Sequence, residues 1–306
     1  MTTNPGTVWR GVSDAQLDED SISCATETEL PTGGELQRAA GSVRLALRGS
    51  ERGTRILDVY ERSPIRVLFP GTRRGAIEEV VLVNTAGGIV GGDRLEYLVT
   101  ALTDACAIVT SQAAERVYRA LKEPARVSTR LQLDSRSRLA WLPQETILFD
   151  GARLQRSTQI DVASGSELLA LEWFLLGREA YGERVSTGAV CDNWRVRIDG
   201  RLAWADSLCL TEDVFPELRC RALLGDFRAV GLLVYFGPAV EERLQFLRER
   251  KPSPRCQCLG TTVAGLLICR LAARQPLDLK TQLRELLNEF DGLRESWVRL
   301  PKMWSY

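Results

Sequence analysis

The chain has 306 residues, of which 44% are hydrophobic and 26% are charged, with 40 acidic side chains against 40 basic ones. This composition predicts a globular protein with a full hydrophobic core, and the balanced charge gives no indication of binding to nucleic acid or to a membrane surface. No apolar run reaches the length of about 18 residues that a transmembrane helix needs. The chain also has no histidine, which excludes a serine–histidine or cysteine–histidine nucleophile.

Residues 1–35 hold seven acids and one arginine with little hydrophobic periodicity, so they are predicted to form a mobile acidic tail. Residues 36–306 are predicted to form a single β-rich domain with an α/β portion at its C-terminal end. The first residues lack the apolar core of a secretory signal, so a cytoplasmic location is expected.

From Gly41 onward, apolar and polar residues alternate in short runs that are separated by turn residues about every ten positions. This spacing is typical of an all-β body and differs from the strand–helix alternation of α/β folds. The predicted strands lie at residues 43–48, 54–60, 65–69, 80–83, 94–100, 105–110, 126–133, 138–142, 157–162 and 194–198.

The last part of the chain departs from this pattern. Residues 167–176 form an apolar run that fits a strand and a helix equally well. Asp278 is the predicted N-cap of a helix whose apolar residues recur on one face up to Phe290. The fold class is therefore predominantly β, with a few α-helices near the C-terminus. Its remaining predicted elements are buried strands at 229–236 and 261–271, a helix at 238–250 and a non-helical segment at 299–304.

Eight cysteines occur in a chain without an export signal, so reduced thiols are expected and a disulfide framework is not. Cys209, Cys220 and Cys269 are predicted to be small core residues. Cys256 and Cys258 lie in a proline-containing loop, but the absence of a Cys-x-x-Cys pair argues against a thiolate metal site there.

The segment Asn84-Thr-Ala-Gly-Gly-Ile-Val-Gly-Gly-Asp93 brings one carboxylate next to four glycines, Gly87, Gly88, Gly91 and Gly92. Glycine is preferred where the backbone takes a positive φ or approaches another group closely. The segment lacks the lysine of a P-loop, and a strand-like run rather than a helix follows it. It is therefore either a structural turn or a binding loop that presents Asp93.

Three further segments place carboxylates beside apolar runs. Glu145 and Asp150 could act as a general acid and base, or they could cap turns and pair with arginines. Glu172 lies inside an apolar run, and a buried carboxylate needs a partner, for which Arg178 is the predicted residue. The segment Glu115–Arg119 is either a phosphate clamp or an exposed charged turn.

Taken together and in this order, five segments resemble the motifs of the urease accessory protein D family, which is called H in some bacteria. The resemblance extends from about Gly41 to Trp304, nearly the whole chain, and the combination of motifs is specific. The positions that match structural residues of the family motifs include Tyr118, Arg119, Gly177, Arg178 and Gly182. The five segments are residues 84–93, 111–119, 141–151, 176–183 and 300–304.

The resemblance implies a layered, helix-like winding of β-strands and a role that is not enzymatic. Members of the family bind the urease apoprotein and the helical accessory protein F, which recruits the GTPase accessory protein G. The complex delivers nickel to the urease active site, and an internal tunnel is the implied route. No stably bound cofactor is expected, only transient Ni²⁺, and a homodimer within the accessory complex is a further expectation.

Because histidine is absent, carboxylates and backbone carbonyls are the expected ligands of Ni²⁺ in transit, and oxygen ligands hold Ni²⁺ loosely enough for release. We hypothesise that the passage is lined by Asp93, Glu145, Asp150, Glu172 and Glu183. Arg119 and Arg178 are predicted to be structural partners of these acids.

Two other classes of protein remain as alternatives. The first is a β-rich hydrolase that pairs Glu145 with Asp150, or Glu172 with Glu183, in an open cleft. The second is a carbohydrate- or peptide-binding module, which would carry an exposed aromatic groove.

Overall fold

The computed structural model describes residues 38–70, 77–178, 182–183, 185–251, 253–292, 297 and 300–304. The predicted acidic tail at residues 1–35 lies outside this part of the chain. Residues from Arg38 onward form one compact unit. Its first strands are β1 (Ala40–Ser50), β2 (Gly53–Arg62), β3 (Ile65–Leu68), β4 (Glu78–Asn84), β5 (Arg94–Ala101), β6 (Cys106–Ser111), β7 (Glu115–Val117), β8 (Ala125–Leu133) and β9 (Arg138–Leu142).

The second half of the unit adds strands and both α-helices. The remaining elements are β10 (Thr146–Leu148), β11 (Ala152–Val162), β12 (Glu167–Leu176), β13 (Gly188–Ile198), β14 (Arg201–Leu210), β15 (Ala229–Phe236), α1 (Val240–Glu249), β16 (Cys256–Val263), β17 (Leu266–Ala273) and α2 (Pro276–Gly292). The prediction of a predominantly β fold with helices toward the C-terminus is confirmed.

The strands form two sheets, and the chain crosses between them at nearly every step from β4 to β13. One sheet has the order β14-β13-β11-β8-β5-β1-β2, and the other has the order β16-β17-β15-β12-β9-β6-β4-β3 with β10 and β7 attached at β12. Apart from the short strands β7 and β10, each strand from β5 to β13 lies parallel to an earlier strand of its own sheet. This is the layered, helix-like winding that the family resemblance implied.

The hydrophobic core has two layers, one on each face of the buried strand β12. Its residues Leu168 and Phe174 pack into the core between the two sheets, whereas Leu169 and Trp173 pack toward α1 and α2. This double burial explains why residues 167–176 read as a continuous apolar run in the sequence. Glu172 lies on the side of β12 that faces the other sheet.

Several predicted elements need correction. Residues 261–271 are not one strand: Ala264 and Gly265 form a turn between β16 and β17, and both residues have positive φ. Asp278 is not an N-cap, because α2 begins at Pro276 and Asp278 lies in its first turn. Lys302–Trp304 forms a 3₁₀ turn, where no helix was predicted. The strands β7, β10 and β14 were missed, since they are short or largely exposed.

Candidate functional site

A cavity of about 200 Å³, here called the central cavity, lies between the two sheets and opens to the surface beside the exposed residues Gly87, Gln112 and Arg116. Strands β5, β8 and β11 line one side, β4, β9 and β12 line the other, and residues 87–89 complete the wall together with β7 and β10. Its polar lining residues are Asn84, Tyr97, Ser111, Gln112, Glu115, Arg116, Thr129, Gln144, Thr146, Arg156 and Glu172.

A buried ion cluster borders the central cavity at Arg156. The Nη1 atom of Arg156 donates to Glu172 Oε2 at 2.6 Å, and its Nε and Nη2 atoms donate to the two oxygens of Asp192 at 2.9 Å each. Trp141 Nε1 donates to the second oxygen of Glu172 at 2.9 Å. All three charged side chains are at least 94% buried. The predicted pairing of Glu172 with Arg178 is therefore wrong, since Arg156 on β11 is the partner.

The charges of this cluster do not cancel when both carboxylates are ionised. Burial raises the pKa of Glu172, and the Arg156 charge and the Trp141 hydrogen bond offset part of that shift. Burial lowers the pKa of Arg156, but Asp192 and Glu172 raise it by more, so the guanidinium stays charged. The cluster thus joins one permanent cation to two acids, and Glu172 is the acid whose charged form burial disfavours.

Glu115 supplies a second carboxylate to the central cavity. Asn84 Nδ2 donates to both of its oxygens, at 3.1 and 3.0 Å. Burial raises the pKa of Glu115 to about 7, although the Asn84 hydrogen bond lowers it. Burial also raises the pKa of Tyr97, and Glu115 and Glu172 add to that shift. The cavity therefore holds a carboxyl that changes charge near neutral pH beside a neutral phenol.

The glycine loop, residues 84–93, packs its backbone against β7. Ile89 N donates to Arg116 O at 2.7 Å, and Tyr118 N donates to Ile89 O at 2.9 Å. Gly88 has a φ of +145°, and a β-carbon there would lie 2.7 Å from Arg116 O. The glycine is required because the loop lies directly on the backbone of the strand that carries Glu115.

Asp93 closes the glycine loop. It is 5% exposed, and its two oxygens accept hydrogen bonds from Ala39 N and Val90 N, each at 2.8 Å. Gly91 lies against Glu123 O and Gly92 lies against the side chain of Arg38, so both glycines also serve close packing. Asp93 does not line the central cavity, and its visible role is to hold the loop to the start of β1.

Asp150 and Glu183 belong to a separate group near the surface. Asp150 accepts hydrogen bonds from Ser186 and Thr187, and Arg119 lies 3.8 Å from it. Although burial raises the pKa of Asp150, these hydrogen bonds and Arg119 hold it below its ordinary value. The predicted role of Arg119 as a structural partner of these acids is confirmed.

Arg178 binds Glu183 with Nε at 2.8 Å and Nη2 at 3.1 Å, which confirms the second predicted arginine partner. The hydrogen bonds from Arg178 hold the pKa of Glu183 below its ordinary value. A β-carbon at Gly177 would lie 2.8 Å from Glu183 O, so this glycine allows the close turn, whereas Gly182 is exposed with open space around it. Residues 179–181 of this motif lie outside the described residues.

Of the five acids predicted to line a nickel path, only Glu172 reaches the central cavity. Glu145 has one buried carboxylate oxygen, Oε2, without a hydrogen-bond partner in the described part of the chain. Its carbonyl accepts the backbone hydrogen bond of Glu115 at 2.8 Å. The route through the other four acids stays a prediction. Glu115 was not among the predicted acids, although its motif was singled out as charged.

The thiols differ from expectation in part. All seven described cysteines are free, and Cys269 is buried as predicted, but Cys209 and Cys220 are exposed. The Sγ atoms of Cys258 and Cys269 lie 3.3 Å apart on neighbouring strands. In the residues that the structure describes, no cluster of three or more histidine, cysteine or carboxylate side chains is arranged to hold a metal ion. Neither described helix is long and apolar enough to cross a bilayer.

The structure thus defines a β protein of two wound sheets with a carboxylate-bearing cavity between them. The sequence profile described as UreD urease accessory protein matches residues 39–305. The chain belongs to the UreD urease accessory protein family, and this membership supports a role in urease maturation.

Individual relatives agree with that assignment. The urease accessory protein UreD of Methylobacterium sp. strain 4-46 is 38% identical over 274 residues, which cover 88% of this chain and 95% of the relative. The UreD proteins of Mesorhizobium japonicum and Rhizobium leguminosarum bv. viciae are each 37% identical over 270 residues, covering 88% of this chain and 95% and 96% of the relatives. The resemblance found in the motifs is thus confirmed.

Proposed function

We propose that the chain is a non-catalytic factor that passes Ni²⁺ to the urease apoprotein through the central cavity. It works in the cytoplasm, in a complex with the helical accessory protein F and the GTPase accessory protein G, in which two copies of the chain take part. The observation that carries the proposal is that Glu115 and Glu172 face one cavity between the two sheets in a member of the UreD family.

The size of the cavity suits a hydrated ion. Its volume of about 200 Å³ equals that of roughly six water molecules at liquid density. Small-molecule sites are larger, with volumes of about 300–1,000 Å³. A cavity of this size accepts an aquated Ni²⁺ ion and is small for the substrate of a hydrolase.

The ligand chemistry of the cavity favours passage over storage. The chain has no histidine, and the acids that reach the cavity are carboxylates, which hold Ni²⁺ more loosely than imidazole or thiolate. The carboxyl groups of Glu115 and Glu172 offer oxygen ligands to a cation, while the proton that Glu115 exchanges near pH 7 limits the negative charge of the cavity. The cavity is therefore attractive to a divalent ion without forming a tight site.

The alternative of a paired-acid hydrolase gains no support from the positions of the acids. Glu172 faces the central cavity, whereas Glu183 is held near the surface by Arg178. Asp150 is occupied by backbone and side-chain hydrogen bonds from Ser186 and Thr187. Neither proposed pair presents two carboxylates to one cleft.

The cavity route is tested with Glu115→Gln and Glu172→Gln, which remove a charge and keep the shape. The variants are combined with apourease and proteins F and G, and nickel per urease active site is measured by mass spectrometry. We expect lower nickel content with normal complex assembly on size-exclusion chromatography. Glu241→Gln on the exposed face of α1 is the matched control. Normal nickel content with both cavity variants would refute the route.

Asp93 and Glu183 test whether the route extends beyond the cavity. Replacing either residue with alanine is expected to lower nickel loading of urease while the complex still assembles. Normal activation by both variants would remove these two acids from the route and leave the cavity pair as its carboxylates.

A further inference from the structure

The outer face of the seven-stranded sheet, which points away from the central cavity, carries a set of exposed arginines. We call it the arginine face and define it by Arg44, Arg94, Arg126, Arg130 and Arg195. Each of them alternates along its strand with residues that point toward the core, such as Leu95 and Leu131. The ion pairs seen among the described residues use other arginines.

The strand register brings these arginines together. Arg94 on β5 lies directly opposite Arg126 on β8. A second row across the sheet runs through Arg44, Leu98, Arg130, Gln159 and Arg195. Two arginine side chains on directly paired residues repel each other unless an anion lies between them. Glu96, two residues from Arg94 on the same face, offsets part of the repulsion between Arg94 and Arg126, and a bound anionic group would relieve the rest.

We propose that the arginine face docks an acidic surface of a protein partner during urease maturation. This inference rests on the proposed function for the choice of a protein as the partner. Arginine guanidinium groups bind carboxylates through two parallel hydrogen bonds, so the pair Arg94 and Arg126 fits one or two acidic side chains.

A protein fits this face better than a nucleic acid does. Glu96 and Ser128 lie between the two rows of arginines, so separate acidic side chains on a folded surface can meet each row and avoid Glu96, whereas a continuous phosphate backbone crossing the rows would pass over it. The exposed aromatic ring beside the rows, Tyr60, is covered by Arg44, whose guanidinium carbon lies 4.6 Å from the ring centre. Among the residues that the structure describes, this face offers no free aromatic platform for base stacking, which gives much of the affinity for single strands.

The small size of the arginine face indicates a contact that speeds association with the partner and sets the partner's orientation. The rows cross five strands at about 4.8 Å spacing and lie about 13 Å apart along β8. The area between and along these two rows is well below the roughly 800 Å² that each partner buries in a standard interface. Charged patches of this kind raise association rates and set orientation, and salt weakens them.

The test uses fluorescent poly-L-glutamate as the probe, with double-stranded DNA of equal charge as the comparison. Binding to the full chain is measured by anisotropy at low and high salt. We expect salt-sensitive binding of poly-L-glutamate that falls at least about tenfold in Arg94→Glu/Arg126→Glu and is unchanged in the control Arg248→Glu on α1. Absent binding, equal binding by the double variant, or tighter binding of DNA would overturn the proposal.

A second variant separates loss of binding from loss of folding. Arg94→Glu alone places a carboxylate opposite Arg126, so its unfolding midpoint should equal or exceed that of the original chain while its binding of poly-L-glutamate falls. Glu172→Gln should bind poly-L-glutamate normally. If the cavity variants load nickel normally while poly-L-glutamate binding still depends on Arg94, the nickel route alone is refuted. If poly-L-glutamate binding does not depend on Arg94, the arginine face alone is refuted.

Discussion

Arg156 and Asp192 lie directly opposite each other on the parallel strands β11 and β13, and two hydrogen bonds of 2.9 Å join their side chains. These strands are consecutive turns of the winding in the seven-stranded sheet. Glu172, on β12 between them in the chain, reaches the same guanidinium from the other sheet. One buried arginine thus ties three successive strands and both sheets together beside the central cavity.

Arg156→Met should destabilise the protein strongly. The change keeps the volume and removes the cation, which leaves Glu172 and Asp192 buried without their partner. Breaking a buried ion pair in this way costs about 3–5 kcal/mol of unfolding free energy. Urea denaturation followed by circular dichroism measures the loss.

Arg153→Met is the control for that change, because it lies on the same strand with its side chain on the outer face, where it pairs with the exposed Glu212. A surface ion pair contributes only about 0–1 kcal/mol. Equal destabilisation by the two variants would mean that the buried cluster has no special importance for stability.

The stability of the chain should fall between pH 4.5 and 7 through Glu115. Its pKa is raised by burial from the ordinary value of 4.5 to about 7, so the folded state holds a proton that the unfolded state has already lost. Below pH 4.5 both states are protonated and there is no effect. Above the pKa of Glu115 in the folded state, the unfolding free energy is lower by the full amount, on the order of 3 kcal/mol.

The measurement for Glu115 is the unfolding free energy at several pH values in the original chain and in Glu115→Gln. Glu172 also has a raised pKa but is present in both proteins, so the difference between the two curves isolates Glu115. We expect the original chain to lose stability relative to the variant as pH rises. Parallel curves would contradict the raised pKa of Glu115.

The sequence predicts the strands well where buried and more exposed residues alternate, as in β1 and β8, because the alternation then shows directly. It fails at β16 and β17, where apolar residues on both sides of Ala264 and Gly265 hide the turn. The partner of Glu172 could not be found by proximity in sequence. Arg156 reaches it only because the winding places β11 and β12 in facing sheets.

Asp93 and Glu115 show the same limit for the candidate site. Asp93 stands out in the sequence because glycines surround it, yet its oxygens are used by the backbone of Val90 and Ala39. Glu115 is inconspicuous in a charged segment, and the pairing of β7 with β10 brings it to the cavity. Which acid faces inward depends on long-range strand pairing, which short motifs do not encode.

Two neighbouring glycines should respond differently to alanine. Gly87 and Gly88 both have positive φ, but a β-carbon at Gly87 meets nothing within 4 Å, whereas one at Gly88 would lie 2.5 Å from the Tyr118 ring. Gly87→Ala should therefore cost only the conformational penalty of about 1–2 kcal/mol. Gly88→Ala should cost more and displace the loop from β7. Thermal unfolding of both variants checks the order, and equal midpoints would contradict it.

Cys258 should be the most reactive thiol of the group beneath α1. The hydrogen bond from Cys269 lowers the pKa of Cys258, and the nearby Arg250 charge adds to this effect. The same contact raises the pKa of Cys269, and burial raises that of Cys256 to about 12. Because the thiolate is the reacting form, iodoacetamide should label Cys258 before Cys256 and Cys269 in the folded protein. Peptide mass spectrometry over a time course measures the order, with exposed Cys209 as an internal reference. Faster labelling of Cys269 would reverse the assignment of donor and acceptor in this thiol pair.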